Sequence, residues 1–149
     1  MASRNVRARM LHWKITLSRR VNALSGAWPM LLYTWLIPCQ DNLGRLEGEV
    51  DVLKSMVFPR RKDVTEAKVA VWVQELHDRG LVFRYQHQGA WYLQFPEDSV
   101  KEYQRTVGYM ARESDFPAPE STLYTAWQEQ ARTLYERVYT DPYSVSMKR

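Results

Sequence analysis

From Trp28 to Phe95, prolines and glycines cut the chain into pieces whose hydrophobic periods differ, and few folds accept those pieces in that order. The first starts near Trp28, with Pro29 at a tolerated first-turn position. Met30, Leu31, Tyr33, Thr34, Trp35 and Ile37 make it apolar almost all round, as in a helix buried on most sides, and Pro38 ends it. Asp41–Arg45 contains a turn at Gly44, and Arg45-Leu46-Glu47 is expected as a short strand. Gly48 leads into a second helix, about Glu49 to Val57. Val52, Leu53, Met56 and Val57 share one face, acids Glu49 and Asp51 complement the dipole of the first turn, and Phe58-Pro59 is the stop. A third helix opens at Val64 or Thr65. Asp63 with Glu66 has capping-box spacing, whereas Thr65 with Lys68 does not make that box. Val69, Trp72, Val73 and Leu76 recur at i, i+3, i+4 and i+7, which predicts one core-facing stripe, and Gly80 ends it. Leu81–Gln86 and Ala90–Phe95 then alternate across His87-Gln88-Gly89, the pattern of a hairpin. Leu81, Phe83 and Tyr85 are expected on one face of the first strand, and Trp91, Leu93 and Phe95 on one face of its partner.

Helix, short strand, two helices and a hairpin is the order of a winged helix-turn-helix. The expected class is α+β, mostly α, with a basic N-terminal arm and C-terminal helices. The division is 1–26 for the arm and a short helix, 27–96 for the winged-helix domain, 97–119 for a helix and Pro-containing linker, and 120–149 for a C-terminal helix and polar tail. The length of 149 residues suits one domain with extensions, and 45% apolar with 26% charged residues is a globular composition. Six Trp and nine Tyr supply large areas for burial in a small core.

The flanks differ from the centre in charge. Residues 1–20 hold Arg4, Arg7, Arg9, Lys14, Arg19 and Arg20 and no acid. Residues 21–96 balance eight basic against eight acidic residues, and residues 97–149 are slightly acidic, for a net charge of +4. Residues 1–16 have no clean period and suit either a flexible arm or a strand near Leu11, Trp13 and Ile15. Arginines in such an arm are drawn to phosphates or simply keep the chain soluble. Ser18 is placed to cap a short helix, Arg19–Leu24, ended by Ser25-Gly26. Beyond the hairpin, Ser99–Arg112 is helix-compatible apart from Gly108, and Ser114–Pro119 is a linker. Ser121 is expected to cap the last helix, about Thr122 to Tyr139, with Leu123, Trp127, Ala131, Leu134 and Val138 as its apolar stripe. That stripe either packs back on the module, which is the expectation, or pairs with a second chain as a homodimer.

The residues with chemistry to offer follow from the fold class. In a winged helix the third helix enters the major groove. Its non-core positions are Glu66, Ala67, Lys68, Ala70, Val71, Gln74, Glu75 and His77. Lys68 suits guanine or phosphate, Gln74 suits adenine, and Thr65 suits phosphate or base. Arg60-Arg61-Lys62 sits just before that helix, where phosphates would pass. Arg84, His87 and Gln88 on the hairpin would reach a backbone or minor groove. Arg4, Arg7 and Arg9 complete the set. Each of these positions is also compatible with a plain solvated surface.

Tyr33 to Gln104 resembles the N-terminal winged-helix domain of phage-type replisome-organiser and replication-initiation proteins. The resemblance is carried by Asp41, Gly44 and Arg45 after the first helix, Phe58-Pro59 after the second, the Leu76–Leu81 segment into the hairpin, and Phe95-Pro96 at its end. The run YQRTVGYMARESDFPAP is similar to the family's segment after the wing. The resemblance implies double-stranded DNA binding at origin repeats and contact with other replication proteins. Family members carry a further C-terminal region that recruits a helicase or its loader; here that region is expected to be absent or reduced to one helix. The same fold also serves transcriptional regulators and protein-docking modules.

Other chemistry is not expected. His12, His77, His87 and Cys39 lack metal-ligand spacing, and no phosphate-binding glycine loop or nucleophile elbow occurs. No enzyme activity, metal or cofactor is predicted. A single cysteine excludes an internal disulfide, and the longest apolar run, Ala27–Pro38, is short of the ~20 residues that span a bilayer. Without a secretory signal pattern, a cytoplasmic location with no membrane partner is the expectation.

Overall fold

The computed structural model describes residues 8–104 and 114–138. It is α+β and mostly helical, with one small antiparallel sheet. The order is α1 (Arg19–Asn22), α2 (Ala27–Leu36), β1 (Arg45–Glu47), α3 (Val50–Val57), α4 (Glu66–Asp78), β2 (Phe83–His87), β3 (Ala90–Gln94), α5 (Glu97–Tyr103) and α6 (Ser121–Val138). Short 3-10 turns at Trp13–Leu17 and Ile37–Cys39 precede α1 and follow α2. The segment that could have been a strand near Trp13 is therefore helical. His12 caps it by accepting from the Lys14 N–H.

The core lies between the helices and one face of the sheet. Leu32 and Leu36 of α2, Leu53 of α3, Val69, Val73 and Leu76 of α4, Leu46 of β1 and Leu93 of β3 are all buried. Each fully buried aliphatic side chain stabilises the fold by about 1.5–3 kcal/mol. The α4 stripe is as expected, with Trp72 packed at its edge. In α3 only Leu53 and Val57 are buried; Met56 faces outward, because eight residues give the helix two turns and one narrow contact face. α2 is less enclosed than its composition suggests, and Trp35 stays 45% exposed while its ring packs on Phe58.

The Asp41–Arg45 turn has a plain physical cause. Asp41 Oδ1 accepts from the Leu43 and Arg45 N–H groups, and the Gly44 N–H donates to Asp41 O. Gly44 O then accepts from the Phe95 N–H, which sets β1 beside β3. The strands run in the order β1-β3-β2, with Leu46 opposite Leu93 and Tyr85 opposite Tyr92.

The hairpin loop is tighter than expected. His87 pairs with Ala90, so the loop is Gln88-Gly89 alone. Both residues have positive φ, 51° and 83°, as a two-residue turn matched to the strand twist requires. The alternation then places Leu93 on the helical core and Phe83, Tyr85 and Tyr92 on the opposite face.

That second face is covered by α6, which packs back on the module. The buried stripe is Tyr124, Trp127, Ala131 and Tyr135: Trp127 and Ala131 are buried as expected, while Tyr124 and Tyr135 take the places expected for Leu123 and Leu134. Leu123 and Leu134 are 64% and 41% exposed, and the side chain of Val138 lies outside the described residues. The sheet face is aromatic, so the aromatic side of the helix outcompetes the aliphatic side: Phe83 meets Trp127 at 5.1 Å and Tyr124 at 5.4 Å between ring centroids. Trp127 Nε1 donates to His77 O at 2.8 Å and Arg19 donates to Tyr135 O at 2.6 Å. The helix is capped by Glu120 and not by Ser121: the Glu120 carboxylate accepts from the Thr122 and Leu123 N–H groups, which hold it below the usual carboxylate range.

Two further segments tie the ends in. α5 is shorter than expected and stops at Tyr103; the rest of that stretch, including Gly108, lies outside the described residues. Gln104 is buried at its end. Its side chain accepts from Met10 N and donates to Met10 O, both at 2.7 Å. Among the described residues no helix is long and apolar enough to cross a membrane.

Candidate nucleic-acid interface

α4 spans 13 residues, so it is about 20 Å long. Its cap is Thr65, whose hydroxyl accepts from the Lys68 N–H at 3.2 Å. Asp63 does not cap it. Arg61 Nε and Nη2 hold the Asp63 carboxylate at 3.0 and 2.8 Å, and this pairing lowers the Asp63 pKa. Thr65 is thereby occupied by the helix start, although it remains exposed.

The basic turn is anchored more firmly than a loop of three charges suggests. The Arg61 guanidinium lies 5.2 Å from the Trp28 ring centroid, and Trp28 stacks on Trp72 of α4 at 5.5 Å with the planes 2° apart. Arg60 and Lys62, its neighbours in the chain, are exposed. Lys68 Nζ donates to Asp63 O at 2.9 Å, which folds it back over the same turn.

The outward face of α4 lies opposite Val69, Val73 and Leu76. Helical spacing centres it on Ala67, Val71, Gln74 and Asp78, all exposed, with Val71 the most exposed large apolar side chain among the described residues at 65%. Glu75 and His77 do not belong to it. Glu75 turns to the loop before α2, where it accepts from the Ser25 hydroxyl at 2.7 Å and from the Ser25 N–H. His77 is half-buried between Phe83 and Trp127, and its Nδ1 accepts from the Arg84 N–H at 3.0 Å. Burial lowers its pKa, with neighbouring Arg84 adding to that direction against Asp78.

α4 and the hairpin meet at Gln74 and Arg84. Gln74 Nε2 donates to Asp78 Oδ1 at 2.9 Å, and its Oε1 accepts from Arg84 Nη1 at 3.4 Å. The Arg84 guanidinium lies 3.9 Å from the Trp91 ring centroid. Desolvation lowers its pKa, while the charge of Glu49 opposes that shift. Glu49 also accepts from the Trp91 N–H at 3.0 Å, fixing β3 against the start of α3. Trp91, Asp78 and Glu49 are not among the candidate nucleic-acid contacts that the sequence suggests. Trp91 could have been found by pairing the hairpin across a two-residue loop, which puts it diagonal to Arg84 on the same face.

His87 and Gln88 are exposed at the hairpin tip. Of the arm, Arg4 and Arg7 lie outside the described residues. Arg9 is held to the body, with Nη2 on Asn42 Oδ1 at 3.0 Å. Lys68, Gln74 and Arg84 thus belong to two small networks, one at each end of α4, with Val71 between them and Ala67 beside the first. Among the described residues, no group of three or more His, Cys, Asp or Glu side chains could hold a metal ion. Comparison with protein-family models, curated proteins and solved structures gave no match.

Proposed function

We propose that this chain is a winged helix-turn-helix protein that binds double-stranded DNA, with α4 in the major groove, the Arg60–Lys62 turn on phosphates and the β2–β3 hairpin as the wing. The observation that carries the reading is the outward face of α4. It is continuous along the helix, bordered by Arg60 and Lys62 at one end and by the stacked Arg84 at the other. Cations flank both ends of a face whose one acid, Asp78, is engaged by Gln74, and this suits a groove whose walls are phosphate and whose floor is base edges. The resemblance of Tyr33–Gln104 to replisome-organiser domains makes replication initiation the role we favour over transcriptional regulation; both use the same surface. The exposed Val71 supports a second reading, in which the same face docks a protein.

Methylation interference separates the two. Methyl groups placed on guanine N7 project into the major groove. At a selected site they should block binding over a short run of base pairs, whereas N3 methylation of adenine beneath the same run should not. In a selected site that carries guanines within or beside that run, binding insensitive to their N7 methylation on both strands would remove α4 from the groove.

A further inference from the structure

We infer that the centre of α4 reads thymine through its C5-methyl group, with Val71 and Ala67 as the contacting side chains. The inference rests on the duplex-binding reading above and names what that face recognises.

Three observations lead to it. First, the polar side chain best placed to read a base is already engaged. Both ends of the Gln74 amide are held, by Asp78 on the helix and by Arg84 on β2. Lys68 is likewise drawn back to the Asp63 carbonyl. Second, the outermost positions left are Ala67 and Val71, one turn apart, with only carbon to offer. Val71 is 65% exposed, so most of its surface meets water. Third, the other large exposed side chain of that stretch, Lys68, is folded back on Asp63, so a base edge can come close to the Val71 methyls.

In the major groove the one methyl group that a base pair presents is that of thymine; apart from the small cytosine C5–H, the other edge groups are hydrogen-bond donors or acceptors. Ala67 and Val71 against guanine, cytosine or adenine would cover polar atoms without satisfying them. Against thymine they bury a methyl on both sides. The face therefore selects T by attraction and disfavours the other bases by desolvation.

The test uses the full chain and a duplex recovered from a random pool by repeated binding selection. Each thymine of that duplex is replaced in turn by deoxyuridine, which removes the C5-methyl and keeps the pairing and the O4 acceptor. The expected result is a loss of roughly threefold to fourfold in affinity at one or two positions, the worth of one buried methyl. In Val71→Ser, which alters an exposed side chain and should fold normally, thymine and deoxyuridine should bind alike at those positions. Equal binding of both by the unaltered chain at every position, with duplex affinity otherwise intact, would overturn the thymine contact and leave the duplex reading standing. No duplex binding at low salt would overturn both.

Discussion

Arg84 on β2 and Trp91 on β3 form a diagonal cross-strand pair, with the guanidinium 3.9 Å from the ring centroid and its Nη1 on Gln74 of α4. This pair joins the hairpin to the helix and aims a cation along the edge of the candidate groove-binding face. Lysine at position 84 would keep the charge but lose the planar fork and the stack. Arg84→Lys is expected to weaken duplex binding about twofold to fivefold, the range of a partly exposed cation–π contact, with little change in the salt slope. Anisotropy titrations of both proteins at several salt concentrations check this.

The basic turn has unequal members. Arg61 is already paired with Asp63 and stacked on Trp28, whereas Arg60 and Lys62 are exposed. Arg60→Ala and Lys62→Ala should each lower the slope of log affinity against log salt by about 0.9. Arg61→Ala should lower it by less, because Asp63 already offsets part of its charge. Equal slopes for all three variants would show that the Arg61–Asp63 pair opens on DNA.

Gly80 ends α4 at φ +74°, and a Cβ there would stand 2.5 Å from the Ala131 Cβ of α6. Gly80→Ala therefore adds backbone strain and pushes α6 off the sheet. A loss of about 1–3 kcal/mol is expected by urea unfolding. Gly26 is the internal control: its extended φ suits any residue and nothing lies within 4 Å of a Cβ, so Gly26→Ala should stay within about 0.5 kcal/mol.

His77 accepts from the Arg84 N–H and is half-buried under Trp127, so the neutral imidazole is the form the fold favours and its pKa is lowered from 6.5. As pH falls below about 6.5 the unfolded chain takes up this proton before the folded chain does, and stability drops until the folded pKa is passed. The slope from this group is at most about 1.4 kcal/mol per pH unit. His77→Asn, which keeps an acceptor near Nδ1, should flatten the stability profile between pH 6.5 and 5. An unchanged profile would assign the slope to carboxylates instead.

The elements between Trp28 and Phe95 were legible because their breakers and periods agree: Pro38, Phe58-Pro59 and Gly80 end helices whose apolar spacing is unambiguous. Caps were less legible. Asp63 and Ser121 are good caps in isolation, but Arg61 takes the first and Glu120 replaces the second. The face of α6 was legible at Trp127 and Ala131 but not at its edge: Leu123 and Leu134 are the stronger hydrophobes by composition, while the surface that receives the helix is aromatic and selects Tyr124 and Tyr135 in their place. In the candidate interface, the residue types were visible but not their engagement. Gln74, Lys68 and Arg9 are held by Asp78, Asp63 and Asn42, and those pairings depend on helix phase and on contacts distant in sequence. Gln88 at positive φ also gave no signal, since the turn it forms is usually marked by Asn or Asp.

Fluorescence-anisotropy titration of the full chain onto labelled random-sequence duplex and single strand, at two salt concentrations, tests the central claim most directly. The expected result is saturable duplex binding at low salt, stronger than single-strand binding, that falls steeply as salt rises because phosphates are being neutralised. Duplex binding that is absent at low salt, or that ignores salt, would contradict it and leave the outward face of α4 as a protein-docking surface.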